Sequence, residues 1–124
     1  MSHFLIVDDD DAVARTLAKM LTTDGHQVSL APDAEAGLEM ATVVRPDAIP
    51  VDLRMPAVSG VEFLRRLRRN PALRELPVAV VTGDYFLEDG LLAEIRSLGA
   101  TMQFKPLWLD DILALAKSLT GDKH

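Results

Sequence analysis

Four acids in a row, Asp8 to Asp11, stand directly behind the apolar run Phe4-Leu5-Ile6-Val7. A single acid, Asp52, closes a second run, Ala48-Ile49-Pro50-Val51, and a turn opens at once behind it. Thr82 ends a third apolar stretch, Pro77 to Val81, and Lys105 follows a fourth, Thr101 to Phe104. Carboxylates crowded together raise one another's pKa unless a cation intervenes. A hard divalent ion is the natural partner, and Mg²⁺ commonly takes one or two carboxylates while retaining waters. The lysine adds a point charge and the threonine a hydroxyl, both suited to phosphoryl oxygens. This is the equipment for phosphoryl transfer to a carboxylate nucleophile, giving an aspartyl phosphate. The chain has no cysteine, and no histidine falls at these positions, so zinc chemistry is disfavoured.

Taken singly, each residue has a plainer reading. Asp8 and Asp9 could be acids favourable to a helix N-terminus, and Asp52 a turn acid. Thr82 could be a β-branched strand end, and Lys105 merely solvated. Their promotion depends on whether the fold gathers them.

The intervening segments decide that. Val13, Leu17, Met20 and Leu21 lie on one face of a 3.6-residue repeat, predicting a helix capped by Asp10 or Asp11 and stopped at Gly25. His26 to Leu30 reads as a strand, and Asp33 as the cap of a helix through about Val44, weakened by Gly37 within it. Ser59-Gly60-Val61-Glu62 has the form of a capping box. The helix it opens turns Val61, Leu64 and Leu67 inward and ends before Asn70-Pro71, with Arg65, Arg66, Arg68 and Arg69 read as a solvated face. Leu87 to Leu98, starting near Glu88 or Asp89, is a fourth helix ended by Gly99. Leu109, Ile112, Leu113, Ala116 and Leu119 mark a fifth. Alternation of strands and helices predicts an α/β, doubly wound parallel sheet covered on both faces, and the uniformly apolar strands agree. The acids, the threonine and the lysine then share the carboxyl edge of the sheet, where ligands bind in open α/β folds.

At 124 residues the chain makes one domain, assigned to 1–120 with Gly121 to His124 as a flexible tail. The net charge of −6 argues against nucleic-acid binding. No apolar run approaches membrane-spanning length and no signal-peptide pattern opens the chain, which favours the cytoplasm.

Val7-Asp8-Asp9-Asp10, Val51-Asp52-Leu53-Arg54-Met55-Pro56 with Ser59-Gly60, Val81-Thr82-Gly83 and Phe104-Lys105-Pro106 together resemble the receiver domain of two-component response regulators. The resemblance covers nearly the whole chain, with each motif in order. It implies a flavodoxin-like fold of five strands in the order 2-1-3-4-5, and a module that is no enzyme beyond catalysing its own phosphorylation and dephosphorylation. It implies that Asp52 takes phosphate from a phosphohistidine on a sensor histidine kinase or a histidine phosphotransfer protein. Asp9 would bind Mg²⁺ directly and Asp8 mainly through water, with Asp52 and the Arg54 backbone carbonyl as further ligands. Thr82 and Lys105 would contact the phosphoryl oxygens, and Lys105-Pro106 would be a cis peptide. Arg54 and Asp84 would set phosphate lifetime, pairing across the site mouth. The family's output and dimer surface would be the face of the fourth helix, fifth strand and fifth helix, near Trp108. Such a receiver either works alone through protein contacts or belongs to a longer protein.

The match departs at three places. Pro50 sits in the central strand, where a bulge or missing bond is expected. Met102 occupies the position of the family's switch aromatic, leaving Tyr85, Phe86 or Phe104 as candidates for that part. The span from Thr82 to Gly99 is enlarged. These departures define the rival expectation, a degenerate receiver serving as a constitutive scaffold.

Overall fold

Residues 2–105, 107 and 109–120 are described by the computed structural model. Short apolar runs form β1 (His3–Val7), β2 (Gln27–Ala31), β3 (Ile49–Asp52), β4 (Val78–Thr82) and β5 (Thr101–Phe104). Amphipathic segments between them form α1 (Asp11–Thr23), α2 (Ala34–Val44), α3 (Gly60–Arg69), α4 (Asp89–Ser97) and α5 (Leu109–Thr120). The strands make one parallel sheet in the order β2-β1-β3-β4-β5, so the expected α/β flavodoxin-like architecture is observed. Phe4, Ile6, Ala48 and Ala79 face α1 and α5, packing with Leu17, Leu21, Ile112 and Leu115. Leu5, Val7, Ile49, Val51, Val78 and Val80 face the other way, against Phe63, Leu64 and Leu67 of α3, Ala41 of α2 and Ile95 of α4. Each central strand is buried on both sides, which is why its sequence does not alternate.

Asp10 caps α1, accepting from the Ala12 and Val13 amides at 3.0 and 3.2 Å, and Asp33 caps α2 by accepting from Ala36 at 2.8 Å. Gly37 lets α2 lie close on the sheet, since a Cβ there would come within 2.8 Å of a Val7 methyl and 3.0 Å of Phe63.

Two expectations about α3 are corrected. Ser59 Oγ accepts from the Glu62 amide at 3.3 Å, but the returning half of the capping box is replaced. The Glu62 carboxylate is drawn outward to Arg65, Arg66 and Arg69 at 3.3, 2.9 and 3.4 Å, because three guanidinium groups outcompete one amide for it. The arginine row is a solvated face only in part: Arg66 and Arg69 are exposed, but Arg65 and Arg68 are half-buried and bridge to other segments. Arg65 forms a two-point pair with Glu94 of α4 at 2.5 and 2.6 Å. Arg68 lies along the structure and donates to the carbonyls of Leu98, Arg74 and Leu76 at 2.6, 3.0 and 2.6 Å.

Pro50 has the expected effect. The amides of Ile49 and Leu53 donate toward β4, to Pro77 and Val81 at 2.9 and 3.0 Å. By alternation, residue 50 faces β1, where a proline has no N–H to give. The β3–β4 register is unbroken from Ile49↔Val78 to Asp52↔Val81. On the β1 side only the Phe4↔Ala48 bridge and the Val7↔Val51 pair remain, one on each side of the proline. The cis peptide expected at Pro106, the placement of Trp108 and the tail at 121–124 lie outside the described residues.

Candidate functional site

β1, β3 and β5 all end at the carboxyl edge, with β4 between the last two, and they deliver the charged groups: two acids after β1, one at the end of β3 and a lysine after β5. Asp8 follows β1 and is buried, with its Oδ1 accepting from the Asp10 amide at 2.9 Å. Asp52 closes β3 with its residue only 7% exposed. Asp9, the third acid, is exposed, and one oxygen from each of Asp8, Asp9 and Asp52 lies within 4.8 Å of the others. Lys105, just beyond β5, points its ammonium between two of them. Its Nζ is 3.2 Å from Asp52 Oδ1 and 3.4 Å from Asp8 Oδ2.

The charges do not balance, and the titration of Asp52 reflects it. Burial pushes its carboxyl up to about 6, Lys105 pulls it back, and the negative charges of Asp8 and Asp9 push it up again. Burial pulls the Lys105 ammonium down, but Asp8 and Asp52 outweigh that and hold it above the usual lysine value. A carboxylate that is hard to ionise, beside two more acids, suits a hard cation. The donor set fits Mg²⁺, with Asp8, Asp9 and Asp52 as the residues that would hold it.

Of the remaining candidates, Thr82, Asp84 and Arg54 are linked to one another at the same sheet edge, and Met102 is not. Thr82 ends β4 fully buried, and its Oγ1 accepts from the Asp84 amide at 3.0 Å. Asp84 Oδ1 accepts from the Phe86 amide at 2.9 Å, and its Oδ2 accepts from Arg54 Nη2 at 2.7 Å. The Phe86 amide first, then Arg54, hold the Asp84 carboxyl below the usual range. Arg54 and Asp84 are thus brought together at the mouth. Met102 is not brought to the site; it pairs with Val80 in the sheet and packs into the core. Tyr85 stacks on Phe104, ring centroids 5.1 Å apart and 16° from parallel, and its hydroxyl donates to the Lys105 carbonyl.

The motif reading gave Gly60 no role of its own. A Cβ on Gly60 would fall 2.4 Å from the Asp52 carbonyl oxygen and 2.9 Å from Leu53 Cα, and the Gly60 amide donates to the Leu53 carbonyl at 2.9 Å. Only glycine lets α3 start against the strand that carries Asp52. Its signal was the glycine placed directly after the capping serine. Nearby, Ala57 has φ 66°, in a turn closed by the Val58 amide on the Pro56 carbonyl at 2.8 Å.

Comparison with known proteins agrees with this geometry. The family described as the response regulator receiver domain matches residues 4–116. The response regulator MprA of Mycobacterium ulcerans is 36% identical over 120 residues, 94% of this chain and 49% of its own length. The transcriptional regulatory protein AfsQ1 of Streptomyces coelicolor is 38% identical over 82 residues, 66% of this chain and 35% of its own. The chain therefore spans about half the length, or less, of these curated relatives. Among solved structures, the chemotaxis protein CheY4 of Vibrio cholerae superposes with a TM-score of 0.87 at 26% identity, covering 96% of this chain and 98% of that one. A putative response regulator from Chloroflexus aurantiacus gives 0.86 at 27% identity, covering 97% and 98%. With the acids, the threonine and the lysine gathered at one sheet edge, the chain belongs to the response regulator receiver domain family.

Proposed function

We propose that Asp52 accepts a phosphoryl group from the phosphohistidine of a sensor histidine kinase or a histidine phosphotransfer protein, and that this switches a protein-interaction surface. The observation that carries the reading is the placement of Lys105 Nζ, 3.2 Å from Asp52 within a cluster of three acids. An Asp52 carboxylate oxygen bonds to phosphorus as the phosphorus–nitrogen bond of the donor breaks. Lys105 offsets negative charge on the phosphoryl oxygens, and the buried Thr82 hydroxyl, at the end of β4, is available to hydrogen-bond one of them. Mg²⁺, held by Asp8, Asp9 and Asp52 with the Arg54 carbonyl, would supply charge neutralisation while bound. The module has no outside substrate beyond its own phosphorylation and hydrolysis.

Incubation with acetyl phosphate and magnesium, read by intact mass, tests this: the wild type gains one phosphoryl group and Asp52→Asn gains none. Equal masses for both, with no gain, would leave the constitutive-scaffold reading in its place. The Arg54–Asp84 pair screens the mouth of the site, and we assign it control of phosphate lifetime. Arg54→Ala and Asp84→Ala should each speed dephosphorylation about two- to fivefold, as expected for loss of one exposed ion pair. Unchanged decay in both variants removes that assignment. The responding surface is placed on α4, β5 and α5, where a partner or a second copy would dock.

A further inference from the structure

Lys105 works at the end of an edge strand. β5 pairs with β4 alone, and a four-carbon side chain has to carry its charge inward from there. Its Nζ stays between Asp8 and Asp52 only if the backbone of residue 105 is fixed. Two bonds fix it. The Lys105 amide donates to the Thr82 carbonyl at 2.8 Å, and the Lys105 carbonyl accepts from the Tyr85 hydroxyl. The Tyr85 ring is laid flat on Phe104, the residue before the lysine. Tyr85 is itself placed by a braced loop, since Asp84 bonds Thr82 through its amide and Phe86 through its side chain. The next aromatic, Phe86, is 93% exposed. Tyr85 is itself 59% exposed, but of these two adjacent aromatics it is the one that stacks on Phe104 and bonds the Lys105 carbonyl.

We infer that Tyr85 is a positioning residue for Lys105, clamping its carbonyl so that the β4–α4 loop and the ammonium beside Asp52 move as one unit. Its effect on rate rests on the phosphoryl-acceptor reading above; the clamp itself does not. The consequence runs both ways: a change in charge at Asp52 is felt at the loop, and the loop's position is felt at the lysine.

The chain has a single tyrosine, so incorporation of 3-fluorotyrosine places one fluorine probe at residue 85. Asp52→Asn removes the anionic partner of Lys105 and should move that fluorine resonance with no phosphodonor present. A resonance unmoved by Asp52→Asn overturns the clamp. Tyr85→Phe keeps the ring and deletes the hydroxyl, and should slow uptake from acetyl phosphate about fivefold, the scale of one hydrogen bond. Phe86→Ala should match the wild type. A Tyr85→Phe rate equal to wild type, or an equal defect in Phe86→Ala, also overturns the inference. Wild-type protein that takes no phosphoryl group while the resonance still moves would sink the acceptor reading and leave the clamp standing.

Discussion

Two clusters of paired charges, one along α3 and α4 and one at the sheet edge, are built on opposite principles. On the outer face, Glu62 and Glu94 are matched by Arg65, Arg66 and Arg69. The arginine hydrogen bonds hold both glutamates below their usual range, and the glutamates raise Arg65. Glu62, Glu94 and Arg65 are thus each more comfortable charged than in water. At the sheet edge, Asp8, Asp9 and Asp52 share one ammonium, and burial raises Asp52 instead. The matched cluster is finished and holds helices together. The unmatched one lacks positive charge, and that deficit suits it to a hard cation, as the proposed function requires.

Removing one cation from each cluster should separate them most sharply. Lys105→Met should lower the rate of phosphoryl uptake about 100-fold, the scale for losing one charge-stabilising donor, and push Asp52 higher still; an unchanged rate would mean the two clusters are equivalent. Gly60→Ala, which joins the clusters sterically, should destabilise the domain by about 3 kcal/mol, since backbone rather than a side chain blocks the new methyl. Urea unfolding measures it, and a loss under about 1 kcal/mol would show that α3 can lift off β3 freely.

The pH dependence comes next in size. Asp52 moves from 3.8 in the unfolded chain to about 6 in the metal-free fold, so the folded state binds the extra proton between those values. The contribution of Asp52 to stability is therefore greatest below the unfolded value, falls as pH rises through that window, and levels off above about 6. Magnesium held by Asp52, as proposed, would have to displace the same proton. Its affinity by calorimetry should be flat above about pH 6 and fall about tenfold per unit below it. A flat profile down to pH 5 would mean that Asp52 is not a ligand. The smallest effect is expected at Arg65→Met: phosphoryl uptake as in the wild type, and a slight fall in Tm that vanishes in high salt.

Much of the fold was legible because its signals are local. Apolar runs stopped by acids, the caps at Asp10 and Asp33 and the glycine after α1 all lie within a few residues of the boundaries they set. The site was legible through topology: once the strands are parallel, their C-terminal residues must meet. What escaped depends on long side chains choosing among distant partners. Arg65 and Arg66 stand three and four residues after Glu62, so its competing partners were in view, but spacing does not say that they win it from the Ser59 amide; and nothing in the Arg65–Arg69 row says that Arg68 serves three carbonyls from other segments. The Tyr85 bond likewise depends on how a six-residue loop, Gly83 to Glu88, closes over β5. Ala57 gives no hint of its left-handed backbone, which a glycine would have announced.

The absent rung at residue 50 has a mechanical consequence. The β1–β3 ladder is interrupted at residue 50, between the Phe4↔Ala48 bridge and the Val7↔Val51 pair, while β3 remains continuous with β4 and, through it, β5. The carboxylates contributed by β1 thus stand on one side of the interruption, and the acceptor, threonine and lysine on the other. Were Asp52 phosphorylated as proposed, this interruption is where β1 and β3 would part at least cost, with Thr82 and Lys105 staying on the acceptor's side.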